Sequence, residues 1–163
     1  GVGGKVLQVV NTTITAASAF TGTPHTSAFS AMYELMNCSI TPTATGSKIL
    51  CFYNIGLGGD FGQTLHIGEG TTEFAQGDAS SNRSRGIYSG HVRVVGEPEV
   101  SPISGQILHS VTTTAGTART YRIKVTNNGT TASFFNRSAV HRDNALGYDG
   151  VVSSHFTLME IGA

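Results

Sequence analysis

The side chains able to do chemistry are sparse, and most lie in glycine-rich segments. Asp60, Glu69, Glu73, Asp78, Asp143 and Asp149 could in principle supply a glycosidase pair, a reaction that needs two carboxyl groups about 5–10 Å apart across the scissile bond. Nothing in their spacing sets any two at such a separation, and carboxylates in such loops ordinarily act as solvated turn formers. Ser and His are plentiful, but no Gly-x-Ser-x-Gly elbow occurs to expose a nucleophile. Residues 56–62, GLGGDFG, carry four glycines in seven positions. They lack the Lys-Ser/Thr and the helix N-terminus of a phosphate loop and read as an ordinary loop. No catalytic residue is assigned. His66, His91, His109 and His155 fall in strand-like runs. In a trimer an inward His could meet its two copies on the threefold axis and hold a metal or an anion; the plainer reading is a half-buried or outward His bonded to a neighbour. No metal or cofactor is expected.

Binding chemistry is better placed on loops, where function on a rigid β scaffold concentrates. Three loops offer planar polar groups with an aromatic ring, which suits the hydroxyl rim and apolar face of a sugar. They present Asp60 and Phe61 in the first, Asn82, Arg83, Arg85 and Tyr88 in or beside the second, and His141, Arg142, Asp143, Asn144, Tyr148 and Asp149 in the third. Local pairing of Arg83 with Asp78 and of Arg142 with Asp143, ordering the loops and nothing more, is the alternative.

These loops need strands to hold them. Residues 5–10 (KVLQVV), a run within 28–40, residues 48–57 (KILCFYNIGL), 63–69, 87–95, 106–111, 119–126, 131–137 and 151–163 all have strand character. Residues 11–26 suit a long surface connection or irregular edge, and 96–104, with two prolines, a separating loop. Residues 48–57 are apolar on one face throughout and on the other in part, as a central strand should be. In 119–126, Tyr121, Ile123 and Val125 alternate with Thr120, Arg122 and Lys124, which predicts one face in the core and one in water. Asn127-Asn128-Gly129 is a hairpin signal joining that strand to the next. Residues 151–163 are apolar on both sides: Phe156 and Leu158 on one, Met159 and Ile161 on the other. Such a strand needs cover on both faces, and it should pair near residues 5–10. No stretch of eleven residues has helical periodicity.

Cys38 and Cys51 are the only cysteines. If residues 41–47 (TPTATGS) form the turn of a hairpin, the two stand directly opposite each other, open to a cross-strand disulfide or to packing as two small apolar side chains. At 163 residues the chain is expected to form a single β-sandwich domain. Residues 1–4 read as a flexible lead, and a first residue of Gly rather than Met suggests a piece of something longer. Lys+Arg and Asp+Glu number 10 each, a balance that argues against nucleic acid and anionic membrane as partners. No run approaches the ~20 apolar residues of a membrane span.

The order of KVLQVV, ITPTATGSKIL, GDASSNRSRG, YRIKVTNNGTTASFFNRS and FTLMEI along almost the whole chain resembles a domain common in marine and cyanobacterial phage genomes. That family occurs near the ends of tail-fibre and other virion proteins. The resemblance implies a trimeric β-sandwich head led into by a stalk or other virion segment, and it carries over no catalytic residues. The expectation is an all-β protein, an antiparallel jelly-roll sandwich of eight or nine strands, forming a homotrimer on the outer surface of a virion. Met159 and Ile161 would face the neighbouring subunit. Its function would be non-enzymatic, binding a bacterial surface polysaccharide or lipopolysaccharide as a tail-fibre head alongside other virion proteins. A capsid decoration protein and a carbohydrate-processing enzyme are the alternatives.

Overall fold

The computed structural model describes residues 4–59, 62–91, 99–127, 132–140 and 149–162. Two antiparallel sheets pack face to face. The first holds six strands, numbered along the chain: β1 (Val6–Ile14), β2 (Ser18–Thr21), β4 (Lys48–Gly58), β8 (Val100–His109), β10 (Ala132–Phe135) and β11 (Ser154–Ile161). The second holds five: β3 (Tyr33–Ile40), β5 (Gly62–Glu69), β6 (Thr72–Phe74), β7 (Tyr88–His91) and β9 (Arg119–Asn127). The two strands beyond the nine expected from sequence, β2 and β6, are only four and three residues long.

Period-two alternation builds the core. Ile49, Cys51, Ile55 and Leu57 of β4 and Phe156 and Leu158 of β11 point inward from the first sheet, against Cys38 and Ile40 of β3, Leu65 and Ile67 of β5, and Tyr121, Ile123 and Val125 of β9. β4 is central as its pattern predicts, with β11 and β10 on one side and β8 on the other. β11 pairs with β1, placing Val10 opposite Leu158 and Val9 opposite Met159. Both ends of the described chain are thus built into one sheet. Met159 and Ile161 lie on its outer face, half-buried.

Several sequence expectations are corrected. β3 and β4 belong to different sheets, so residues 41–47 are not a hairpin turn but a crossing from one sheet to the other. Cys38 and Cys51 are therefore not cross-strand neighbours; both are buried free thiols. β9 and β10 likewise lie in different sheets, although Asn128 and Gly129 themselves fall outside the described residues. Local turn signals cannot tell a hairpin from a bridge over the sandwich. Within residues 11–26 the edge-strand alternative holds, since β1 runs on to Ile14 and β2 follows, both at edges of the six-stranded sheet. β8 begins at Val100 and runs through Pro102, which an edge strand tolerates because one side of its backbone needs no partner.

The crossing 41–47 closes around a carboxylate. Glu160 of β11 is fully buried and accepts hydrogen bonds from the main-chain N–H groups of Thr43 and Ala44, the hydroxyls of Thr43 and Ser47, and the amide of Gln8. Thr113 Oγ1 donates to the carbonyls of Ala44 and Ser47, which ties a third segment to the same point.

Candidate functional site

The outward side of the five-stranded sheet carries Thr64, His66 and Gly68 on β5, and Arg122, Lys124 and Thr126 on β9, set side by side by the register Thr64–Thr126, His66–Lys124 and Gly68–Arg122. Alternation alone would leave these in water. Instead residues 23–31 fold back over the sheet: Thr23 bridges to Thr126, and the Asn127 N–H donates to the Thr23 carbonyl. A 3-10 turn, Phe29–Ala31, then seats the Phe29 ring on Gly68, where a Cβ would come within 2.3 Å of it. Lys124 is consequently only 6% exposed, its ammonium donating to the carbonyls of Phe29 and Ser30 and lying 4.9 Å from the Phe29 ring centre. The expected wet face of β9 is therefore partly a second, polar interior.

Buried polar groups must find partners, and here they form a chain. Glu73 Oε1 lies 2.7 Å from His66 Nδ1, and His66 Nε2 lies 3.0 Å from Thr126 Oγ1. Thr126 Oγ1 in turn lies 2.9 Å from His25 Nδ1. Ser84 Oγ sits 3.1 Å from the same nitrogen and donates to Thr64 Oγ1, which donates to Ser89. Since Ser84 commits its one proton to Thr64, the His25 contact requires the ring N–H to donate. Carboxylate, imidazole and hydroxyl stand in the order of a catalytic triad, but Thr126 is 0% and His66 1% exposed. No acyl group can reach that hydroxyl, and the chain acts as a brace.

Above the brace lies a basin of about 450 Å³. Its floor and walls include Phe29 and Met32 on the apolar side and His25, Glu73, Gln76, Arg83 and Arg85 on the polar side. Arg85 Nε donates to the Gly77 carbonyl at 2.7 Å, which fixes the guanidinium against its own loop. Among the described residues no ion pair holds Arg83: the Arg pairs are Arg119–Glu69 and Arg122–Glu34. The local pairing of Arg83 with Asp78 does not form.

A second depression, about 430 Å³, lies on the outer face of the six-stranded sheet. Phe52 is flanked there by Asn54, Ser104, Gln106, His155 and Thr157. The His155 ring is held by Thr13 and Ser153, and Asn54 accepts from Ser104.

Of the loop residues singled out from sequence, Arg83 and Arg85 converge on the basin, while Asn82 is exposed on the same loop outside its lining. Tyr88, beside that loop, opens β7 as its strand pattern predicts and packs against the core. Asp60, Phe61, His141, Arg142, Asp143, Asn144 and Tyr148 lie outside the described residues, and Asp149 is buried. Two carboxylates considered for catalysis are already engaged, Glu69 by Arg119 and Glu73 by His66. His109 stacks on Phe74 with ring centres 4.0 Å apart and bonds Tyr121; burial, then the nearby Arg119 charge, lowers its pKa. No three or more His, Cys, Asp or Glu among the described residues converge as a metal site.

Sequence reasoning missed His25, Glu73 and Gln76 as basin residues. One signal was available: Gly70, with φ +58°, makes a tight turn between β5 and β6. Such a turn sets Glu73 opposite Gly68 and so on the same face as His66. Nothing local indicates that residues 23–31 return over the sheet. No protein-family model matches the chain, and no curated protein matches it significantly.

Proposed function

We propose that this chain is the head of a phage tail fibre, a homotrimeric jelly roll that binds a bacterial surface glycan. The observation that carries the binding role is the basin over the five-stranded sheet. It combines an apolar floor with converging planar donors and acceptors on a braced base, the combination that saccharide recognition needs. The strand order supports the jelly-roll reading. The eight principal strands divide between the sheets as β1-β11-β4-β8 and β3-β9-β5-β7, the arrangement of two interlocked Greek keys.

The trimer has its own support. On the outer face of the six-stranded sheet, Val9, Met159, Leu50 and Leu108 stand opposite one another on four adjacent strands. Val9 is 52% and Leu108 47% exposed, and Ile161 extends the row next to Met159. A continuous apolar band of this kind on a β-sheet marks an association surface.

The test is binding of the purified chain to a panel of bacterial lipopolysaccharides and capsular polysaccharides, measured by biolayer interferometry. Saturable binding to one member, weakened by Gln76→Ala without loss of melting temperature, is the expected result. A chain that binds none of the panel while remaining folded would refute the reading.

A further inference from the structure

Deepening the glycan-binding proposal and resting on it, we infer that the basin takes an anionic sugar, one whose carboxylate is received by Arg83 and Arg85. The charge around the basin decides the class of ligand. Arg83 and Arg85 line it as cations, and Lys124 is sealed beneath its floor by the carbonyls of Phe29 and Ser30. Among the described residues the lining holds one carboxylate, Glu73, which is bonded to His66. Glu34, the carboxylate across from Lys124 in the register, bonds Arg122 at 2.5 Å. Asp78, on the same loop as the two arginines, is not in the lining. A protein with equal numbers of acidic and basic side chains thus gathers a local positive excess at this basin.

The geometry of the guanidinium groups adds specificity. Arg85 uses Nε on the Gly77 carbonyl, which leaves its two terminal nitrogens to point elsewhere. Arg83 makes no ion pair among the described residues. A guanidinium with free terminal nitrogens matches a planar carboxylate in bidentate fashion, and a neutral hydroxyl cannot satisfy it equally. Gln76 remains for a ring hydroxyl, with Phe29 and Met32 beneath an apolar sugar face.

The experiment compares a glucuronic acid oligosaccharide with the uncharged glucose oligosaccharide of the same linkage, by isothermal titration of the intact chain and of Arg83→Gln and Arg85→Gln. The expected result is at least about tenfold tighter binding of the acidic oligomer, with Arg83→Gln removing about tenfold of its affinity and so narrowing its preference over the neutral oligomer. Both arginines are exposed, and the Arg83 side chain makes no ion pair among the described residues, so that variant reads binding rather than folding. Equal affinity for the two oligomers, or a preference that survives both substitutions, overturns the inference while glycan binding stands. Failure of both oligomers and of every polysaccharide in the panel removes the inference and the glycan-binding reading together.

Discussion

The carboxylate of Glu160 accepts a 2.7 Å hydrogen bond from the hydroxyl of Ser47, 113 residues earlier in the chain. That contact joins the last strand to the segment that carries the chain from one sheet to the other. No ion pair neutralises the carboxylate among the described residues; five donor groups from Gln8, Thr43, Ala44 and Ser47 replace the water it lost.

Glu160→Gln should be costly. The amide keeps one acceptor oxygen but turns an NH2 group toward the donors; Gln8 and Ser47 can turn to the carbonyls of Thr41 and Ala44, whereas the main-chain N–H groups of Thr43 and Ala44 are held in place, for a loss of about 3 kcal/mol at neutral pH. Burial by itself raises the Glu160 pKa, but the Thr43 N–H, Gln8, Ser47 and the Ala44 N–H outweigh it and hold the group at about 2, against an ordinary 4.5. A folded pKa below the unfolded one means the stabilisation is complete above about pH 4.5 and drains away as pH falls through about 2. Denaturant titrations of both proteins across this range should show the gap between them closing toward pH 2. A gap that stays constant would refute the role given to the charge.

β4 and β11 were legible in sequence because their evidence is local: alternation along one strand names its inward residues, Ile49 to Leu57 and Phe156 to Leu158. Pairing of β11 with β1 followed from the need to build both terminal strands into the sandwich. The crossings were not legible. A Pro-Thr-Gly turn and an Asn-Asn-Gly turn look alike whether the flanking strands pair or part, and only the packing of two complete sheets decides. The basin was half legible. Arg83 and Arg85 stand out as cations in a polar loop, whereas His25 and His66 meet across Thr126 through contacts of 101 and 60 residues' separation.

Asn136 should prove a second keystone. It holds φ +60°, a conformation that glycine adopts freely and alanine does not. Its buried amide donates to the carbonyls of Ile14 and Ala16 while its oxygen accepts from Ser154. Asn136→Gly removes only the hydrogen bonds, about 2 kcal/mol. Asn136→Ala adds about 1 kcal/mol of backbone strain. Urea midpoints should rank wild type above the glycine variant and the glycine variant above the alanine one; the reverse order of the two variants would show that backbone conformation is not limiting.

Neither cysteine should react in the native protein. Burial, followed by the neighbouring charges of Cys38 and Glu69, pushes the Cys51 thiol up to about 12, and burial also raises Cys38. The nucleophilic thiolate is therefore scarce and walled off at pH 8. Iodoacetamide should label neither thiol in buffer and both in guanidinium, as counted by intact mass. Rapid labelling without denaturant would contradict the burial of this part of the core.

Met159→Asp tests the subunit surface separately from the fold. Met159 sits on the outer face of β11 between Val9 and Leu50 in the register, while its neighbours Leu158 and Glu160 point inward and are fully buried. A carboxylate at position 159 therefore enters no core. In an isolated subunit it meets solvent, at a cost of less than about 1 kcal/mol. In an assembly that covers the Val9–Met159–Leu50–Leu108 row it becomes an unpaired buried charge repeated in every copy, which association cannot offset. Light scattering should give a trimer mass for wild type and a monomer mass for the variant, with circular dichroism and melting of the dissociated subunit unchanged in form. Leu108→Asp, on the opposite edge of the row at β8, should do the same. A variant pair that stays trimeric would move the interface off this face of the sheet.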